Sequence, residues 1–340
     1  MKKYILLLLV SVLVFSGCSK KEEADSEFNF NMDTYKIAEP YKESISGNYI
    51  NGAIANNYDI DNVQTRLMEL STKYFKTTNY YYQAGQYLSS DKIKELLNKI
   101  NTQDYIEMDG INLKPQYISY IHEQNYLDSS GSLAGISIGI VLNKYQTYQN
   151  SYGATLYKEI PEEELVQYAY EQMPNILTYL RQIDGLNNTR IIVGLYISSS
   201  PNSLLPGSYK YLGITSDNNI SFHDIDYQFY YLDSNILMEK NIKIYDGFKD
   251  FCNQIDLKGI YISGYGLFYN NNLINASITV NSNYLNRDQL IFLEQKISEA
   301  LLKGFDSDIL FNVYIKVNNK IIGSVIKNKN TNKTFNYIFD

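Results

Sequence analysis

The sequence predicts an α+β fold built from two related helix/antiparallel-sheet repeat units, preceded by a helical N-terminal region. Helix-like and strand-like segments alternate from about residue 39 onward, and the strand-like segments form hairpins with few parallel crossovers. The order of the segments recurs in the second half of the chain, which indicates an internal repeat. With 340 residues, 44% of them hydrophobic and 20% charged, the chain is long enough to bury sizeable cores.

An export signal occupies the N-terminus. Two lysines precede an apolar run from Tyr4 to Phe15, and Ser16-Gly17-Cys18 follows this run. The run is shorter than the roughly 20 apolar residues that a membrane-spanning helix needs. Its ending of two small residues and a cysteine resembles the bacterial lipobox. We therefore predict a lipoprotein signal peptide over residues 1–17 and a diacylglyceryl lipid, with acyl chains such as palmitate, on Cys18.

Residues 18–38 are mostly polar and of mixed charge, which predicts a flexible tether. Its root-mean-square length is about 25 Å, from about 5 to 6 Å times the square root of the residue number. Two acyl chains give stable membrane anchoring where a single chain does not. We expect this lipid, added by the lipoprotein-processing machinery, to hold the protein on the outer face of the cell membrane.

The N-terminal region, residues 39–115, is predicted to pack on the repeat units. Its first helix has Asp61 or Asn62 as a plausible N-cap, because apolar residues one turn apart follow. The threonine- and tyrosine-rich residues after this helix favour a strand. A second, shorter helix is predicted in "SSDKIKELLNKI", with Ser89 or Ser90 as its N-cap.

The two repeat units are predicted over residues 116–216 and 217–340. The first reads as helix, strand, helix and two strands, in "KPQYISYIHEQNYL", "AGISIGIVLN", "EEELVQYAYEQMPNILTYLRQI" and "RIIVGLYISSSPNSLLPGSYKYLG". The second reads as helix, hairpin, helix and hairpin, in "YDGFKDFCNQI", "GIYISGYGLFYNNNLINASITVN", "RDQLIFLEQKISEALLKGF" and "DILFNVYIKVNNKIIGSVIKN". Asn318-Asn319 is compatible with a tight turn in the last hairpin. The amphipathic stripes of the long helices predict core positions.

Composition and charge exclude several classes of protein. The formal net charge of −7 disfavours nucleic acid as a partner, because such binding requires lysine and arginine to neutralise phosphates. The chain has 34 tyrosines and no tryptophan, which is typical of translation from an AT-rich genome. With Cys18 modified, Cys252 has no intrachain partner. Cys252 lies among apolar residues at helical spacing, which favours a buried structural thiol over a nucleophile.

Two sequence patterns resemble catalytic motifs, but their sequence context favours structural roles for these residues. "GISIG", Gly135 to Gly139, fits the G-x-S-x-G pattern of serine hydrolases, but Ser137 lies inside a continuous strand rather than at a strand-to-helix turn. The glycines therefore favour close packing on a sheet. His122 lies in a segment predicted as helical, without the second histidine of an H-E-x-x-H pair.

The acidic residues of the sequence match no metal-binding motif. His223, Asp224 and Asp226 alternate between the two faces of a predicted strand and do not converge. "DIDNV" begins like a calcium-binding loop but lacks the required residues further along. Glu162 to Glu164 suit the first turn of a helix through its macrodipole. We predict no catalytic residue, metal or cofactor, so the mature chain is not expected to be an enzyme.

A tyrosine-rich segment remains as a candidate ligand surface. Tyr80, Tyr81, Tyr82 and Gln86 lie in "NYYYQAGQYLS" and could stack on sugars or hydrogen-bond a peptide. The competing interpretation is a strand with tyrosines packed on both of its faces. The sequence leaves the ligand of the mature domain unknown.

Several segments, taken in order, resemble the CamS family of sex-pheromone precursor lipoproteins from low-GC Gram-positive bacteria. The resemblance spans the chain from Glu39 onward, and Ser46 stands before Gly47 where the family typically has an arginine. It is carried by "EPYKES", "LMELSTKYFKTTNYYYQAGQYLS", "KPQYISYIHEQNYL", "GISIGIVLN", "LLPGSYKYLG" and "GIYISGYGLFYNNNL".

The resemblance implies that the end of the signal peptide is released as a short apolar pheromone. The implied peptide consists of Val10, Ser11, Val12, Leu13, Val14, Phe15, Ser16 and Gly17. We expect the mature domain to be a noncatalytic binding or interaction module. The alternatives are an extracellular hydrolase acting on the cell wall, or a structural protein of the envelope.

Overall fold

The structure is a computed structural model that describes residues 35–108, 110–216 and 219–339. The helices of this part of the chain are α1 (Tyr49–Ala53), α2 (Asn57–Ser71), α3 (Ser90–Ile100), α4 (Glu162–Arg181), α5 (Asn235–Lys240), α6 (Ile242–Gln254) and α7 (Arg287–Gly304). With the strands given below, they confirm the predicted α+β class.

The first sheet has seven strands in the order β1-β2-β5-β6-β9-β10-β11. Its strands are β1 (Lys36–Ile37), β2 (Tyr81–Ala84), β5 (Ile118–Leu127), β6 (Leu133–Leu142), β9 (Arg190–Ile197), β10 (Ser208–Ser216) and β11 (Asn219–Asp224). Strands β6 and β9 are parallel, with α4 between them in the chain, and each is antiparallel to its outer neighbour. Two small hairpins lie outside this sheet, β3 (Ile106–Met108) with β4 (Ile111–Leu113), and β7 (Tyr145–Gln149) with β8 (Thr155–Glu159).

The second sheet has six strands in sequential order, from β12 to β17. Its strands are β12 (Tyr227–Tyr231), β13 (Ile260–Tyr269), β14 (Asn272–Ser282), β15 (Leu310–Val317), β16 (Lys320–Lys327) and β17 (Phe335–Ile338). Strands β14 and β15 are parallel and α7 connects them, just as α4 connects β6 and β9. Each sheet therefore contains a hairpin, a crossover helix and a second hairpin, so the two sheets share one order of elements.

One predicted helix is wrong, because the segment "KPQYISYIHEQNYL" contains strand β5. Most residues of β5 are buried, so both of its faces lie inside the protein. Because polar and apolar residues of β5 are buried together on both faces, its sequence lacks the alternation that marks a half-buried strand. The correction makes the two halves match more closely, since β5 now pairs with β6 as β13 pairs with β14. The boundaries at residues 116 and 217 stay a prediction.

Most other predicted elements are confirmed, and one helix begins at a different residue from the one predicted. Helix α2 begins earlier than predicted, because Asn56 is its N-cap and accepts a hydrogen bond from the Tyr58 amide at 2.8 Å. Ser89 is the N-cap of α3, as one of the two predicted serines. Asn318 and Asn319 both have positive φ, at 49° and 66°, which suits the tight turn between β15 and β16.

The two sheets differ in how they are covered. In the first sheet, alternate side chains of β6 such as Ile138 and Ser137 point to opposite faces and are both fully buried. In the second sheet, Ile278 on β14 is fully buried beneath α6 and α7, whereas its neighbour Thr279 is partly exposed. The first sheet is therefore covered on both faces, and the second on one.

Candidate functional site

The residues predicted for lipidation and peptide release lie outside the described part of the chain. Cys18 and the segment from Val10 to Gly17 belong to residues 1–34, so both predictions remain predictions. Among the residues that the structure describes, no helix is both long and apolar enough to span a membrane.

Ser137 lies in the middle of β6, where its Oγ is 2.7 Å from the hydroxyl oxygen of buried Tyr126. A Cβ on Gly135 would lie 2.3 Å from the Phe75 ring, and one on Gly139 would lie 2.4 Å from the Tyr209 hydroxyl. The glycines thus leave space for aromatic rings against the sheet, which confirms the packing interpretation of "GISIG".

The two histidines lie far apart in the fold. His122 lies on β5, and burial lowers its pKa to about 4, so the imidazole is neutral at physiological pH. His223 and Asp224 are exposed on β11, at the edge of the first sheet. Within the described ranges, no group of three histidine, cysteine or acidic residues is arranged to hold a metal ion.

The surroundings of Cys252 and of the acidic residues of α4 favour structural rather than catalytic roles. Cys252 is a free, partly buried thiol on α6, and burial raises its pKa to about 11, which disfavours the nucleophilic thiolate. Glu162 and Glu163 lie in the first turn of α4, as predicted from the macrodipole. Glu164, in the same turn, accepts a hydrogen bond from the Tyr117 hydroxyl.

Asp59 is a buried carboxylate that joins α2 to the loop between β9 and β10. It accepts hydrogen bonds from the Tyr196 hydroxyl at 2.9 Å, the Ser199 amide at 2.9 Å and the Gly207 amide at 2.6 Å. Burial raises its pKa, and these hydrogen bonds act in the opposite direction because they stabilise the charged form. All of these contacts are internal, so Asp59 has a structural role.

Glu123 is a second buried carboxylate with a similar role. It accepts hydrogen bonds from the amides of Gln86 at 2.9 Å, Tyr87 at 3.1 Å and Leu88 at 2.6 Å. Burial raises its pKa, although the three amides favour ionisation. Glu123 thereby fixes the chain between β2 and α3 against β5. Neither Asp59 nor Glu123 belongs to a sequence motif, so neither could be recognised from the sequence alone.

The predicted tyrosine surface does not form as a unit. Tyr82 is fully buried and donates a hydrogen bond to the Phe75 carbonyl at 2.7 Å, so its assignment to a ligand surface is wrong. Tyr81 points to the other side of β2 and is 38% exposed. Tyr80 packs edge-on against Phe75, and Gln86 donates to the Glu43 carbonyl at 2.7 Å.

A polar and aromatic surface covers the other side of the second sheet, where the described residues place no helix. We call it the open face. Its side chains come from three adjacent strands and lie on the opposite side from α6 and α7. They are Tyr261, Ser263, Tyr265 and Leu267 of β13, Asn275, Ser277, Thr279 and Asn281 of β14, and Asn312, Tyr314 and Lys316 of β15.

The register of the strands gives the open face the form of a shallow groove. The middle strand, β14, carries short polar side chains. Tyr265 lies beside Ser277 on one side of it, and Tyr314 lies beside Thr279 on the other. Because neighbouring strands are about 4.8 Å apart, β13 and β15 are separated by about 10 Å. The tyrosine rings therefore flank a polar floor.

The open face is distinct from both apolar cores. Its tyrosines are absent from the two clusters of buried residues and from the side chains packed against them. Leu267, beside Asn275, is 2% exposed, whereas the other side chains of the open face keep some exposure to solvent and Tyr261 is 68% exposed. The sequence carried a signal for it, since Asn275, Ser277, Thr279 and Asn281 alternate with apolar residues. The sequence prediction placed the ligand surface at Tyr80, Tyr81, Tyr82 and Gln86 instead.

Comparison with known proteins agrees with this fold. A sex pheromone precursor from Lactobacillus salivarius subsp. salivarius UCC118 is 21% identical to the chain, with a TM-score of 0.79 over 88% of this chain and 93% of the other. The C-terminal domain of the sex pheromone staph-cAM373 precursor from Staphylococcus aureus is also 21% identical. Its TM-score is 0.71 over 85% of this chain and 98% of the other. At this identity, the likeness supports the fold alone.

A family match extends over most of the sequence. No curated protein sequence matches the chain significantly. The family model described as "CamS sex pheromone cAM373 precursor" matches residues 41–333, which include all the helices of the described residues and all their strands except β1 and β17. The chain therefore belongs to the CamS sex pheromone cAM373 precursor family.

Proposed function

We propose that this chain is a lipid-anchored precursor whose signal peptide supplies a short apolar signalling peptide. The observation that carries the proposal is the family match over residues 41–333, joined to an N-terminus that ends in Ser16-Gly17-Cys18. Cleavage before Cys18 separates two products. The lipid stays with the mature domain, and the apolar remnant that contains Val10 to Gly17 is trimmed and released.

The mature domain acts as a noncatalytic binding module on the outer face of the membrane. Its buried ionisable groups support this role, since Asp59 and Glu123 are occupied by internal hydrogen bonds. Ser137 is likewise bonded to Tyr126 inside the sheet. The open face, in contrast, presents polar and aromatic side chains to solvent.

Mass spectrometry of culture supernatants tests the processing step. Cells that express the wild-type chain are expected to release fragments of residues 8–17 and to retain the mature domain in the membrane fraction. Cys18→Ser removes the lipidated thiol, so both the fragments and the membrane retention are expected to disappear. Cys252→Ser is the matched control, because it changes the other cysteine and leaves the signal intact. Equal fragment release from the wild-type and Cys18→Ser chains would contradict the proposal.

Synthetic peptides test the signalling step. The peptide "VSVLVFSG" and its forms trimmed by one residue are expected to induce aggregation or plasmid transfer in cells that carry responsive plasmids. A scrambled peptide of the same composition serves as the control for nonspecific effects of apolarity. The absence of a response from nanomolar to micromolar concentration would remove the signalling role.

A further inference from the structure

We infer that the open face of the second sheet binds an extended strand of uncharged polysaccharide. This inference rests on the proposed role of the mature domain as a binding module, and it names the chemistry of the ligand. Three features of the open face carry it: unused hydrogen-bonding groups on its floor, tyrosine rings along its sides, and near absence of charge.

The floor of the groove offers hydrogen bonds that the protein itself does not use. Within the described ranges, none of its polar side chains forms a side-chain hydrogen bond with another residue, although each is partly buried. These side chains are Asn275, Ser277, Thr279 and Asn281 of β14 and Asn312 of β15. Amides and hydroxyls both donate and accept hydrogen bonds, as sugar hydroxyls do. The floor therefore suits a ligand with many hydroxyl groups.

The tyrosines provide apolar contact on both sides of the floor. Tyr265 and Tyr261 lie on β13, level with Ser277 and Asn281, and Tyr314 lies on β15, level with Thr279. A tyrosine combines a flat apolar ring with a polar hydroxyl, which suits the faces of sugar rings and their edges respectively. From Asn275 to Asn281 the groove is about 20 Å long, at about 3.4 Å per residue. An extended polymer fits this length better than a single small molecule does.

Charge and shape disfavour other occupants. Lys316 is the single charged side chain of the open face, whereas the chain as a whole carries a formal charge of −7. Nucleic acids and acidic polymers need several basic residues. Lipid surfaces need a contiguous aliphatic patch, which the alternating polar residues interrupt. Extended peptides usually pair with a sheet edge through their backbone, and here the edges are β12 and β17.

Calorimetric titration of the full-length protein in detergent tests this inference. The probes are a hexamer of β-linked N-acetylglucosamine, a hexamer of β-linked glucose, and isolated Gram-positive cell walls in a co-sedimentation assay. Saturable binding of at least one probe is expected. Soluble hexamers and whole walls together separate a short glycan from an assembled wall as the ligand source.

Two variants probe the groove in opposite ways. Thr279→Tyr fills the floor with a residue that also favours strands, and Tyr314→Ala removes one aromatic side. Each is expected to weaken binding by about tenfold or more, since an aromatic anchor at the centre of an interface often contributes that much. Thr155→Tyr and Tyr152→Ala make the same changes at exposed positions of the β7–β8 hairpin. These matched controls are expected to bind as the wild type does.

The outcomes are separable. Loss of binding counts only for variants whose thermal midpoint stays close to that of the wild type. Failure of every probe to bind, or wild-type binding by both groove variants, overturns the inference. A concentration-dependent dimer that Thr279→Tyr dissociates also overturns it, because the face is then an interface between two copies of the chain. Release of the residue 8–17 fragments is independent of the groove, so the precursor role stands or fails separately.

Discussion

Single glycines determine how closely aromatic side chains approach the first sheet. Gly135, Gly139 and Gly194 lie on one face of the central strands, where a Cβ would overlap the rings of Phe75 or Tyr209. Phe75 in turn stacks on Tyr126, with ring centroids 4.0 Å apart. Because packed interiors leave little free volume, these positions tolerate no side chain.

Gly135→Ala is expected to lower the free energy of unfolding by at least about 2 kcal/mol, since the new methyl group overlaps Phe75 and the backbone of Arg190. Chemical denaturation monitored by circular dichroism measures the change. Gly52→Ala in α1 is the control, because no atom lies within 4 Å of its added Cβ. It is expected to leave stability unchanged or slightly raised. Equal stability of the two variants would refute the packing role of Gly135.

Glu294 on α7 is a buried carboxyl group with an unpartnered Oε1. The residue is 5% exposed and faces Gly323 of β16, where an added Cβ would lie 2.9 Å from its Oε1. Burial raises its pKa from 4.5 to about 7, and Arg287 lowers it only in part. The folded protein therefore favours the protonated, uncharged form of this group.

The raised pKa of Glu294 predicts how stability depends on pH. The folded state binds more protons than the unfolded state between pH 4.5 and about 7, so this group makes the protein less stable as pH rises through that window. Glu294→Gln mimics the protonated form and is expected to be more stable than the wild type by about 1 to 2 kcal/mol at pH 8. The difference is expected to vanish near pH 4.5. Thermal unfolding at both pH values checks this, and a difference that is independent of pH would contradict it.

At the scale of elements, the start of α2 holds the long loop between β9 and β10. Asp59 binds the amides of Ser199 and Gly207, and Asn56 donates to the carbonyls of Ser200 and Ser203 at 2.7 and 2.9 Å. Asn62 adds a contact to the Gly207 carbonyl at 2.9 Å. The N-cap of α2 and two side chains from its first two turns thus form hydrogen bonds with backbone groups of the loop.

Asp59→Asn is expected to loosen this loop, because an amide nitrogen replaces one acceptor and faces backbone N–H groups. We expect a loss of about 1 to 3 kcal/mol in stability and faster hydrogen exchange at the Ser199 and Gly207 amides. Asp61→Asn, at an exposed position of the same helix, is the matched control. Unchanged exchange at both amides in Asp59→Asn would show that the carboxylate does not hold the loop.

At the scale of the whole molecule, each sheet has an apolar core of its own. The first core contains Leu67 of α2 together with the central strands of the first sheet. The second contains Leu293 of α7 together with the core face of the second sheet. The covered and open faces of the second sheet explain its alternating pattern of apolar and polar residues.

Separate cores predict that core mutations act locally. Leu293→Ala is expected to cost about 2 to 5 kcal/mol and to speed hydrogen exchange mainly in β12 to β17. Leu67→Ala, at an equally buried position, is expected to affect mainly the strands of the first sheet. Each variant is the control for the other. Uniform acceleration across both sheets in either variant would show that the cores unfold as one.

Much of the fold could be predicted from local sequence. The alternation of "NASITVN" and the tight Asn318-Asn319 turn specify strands and a hairpin, and the 3.6-residue spacing in α4 and α7 specifies helices. Strand β5 could not be distinguished from a helix, because burial of both faces removed its alternation. The burial of Tyr82 could not be predicted for a related reason, since it depends on contacts with Tyr126 of β5 and with Phe75, which lie outside its own strand.

The sequence by itself indicated the fold class and the resemblance to the family, and it predicts an export signal and a lipid site at Cys18. Each of these depends on residues close together in the chain or on their order. Tertiary structure alone decided which carboxylates are occupied by internal hydrogen bonds, which tyrosines are buried, and which sheet face is open. Those properties depend on strand register and on the side of a sheet that a helix covers, and contacts between distant residues set both.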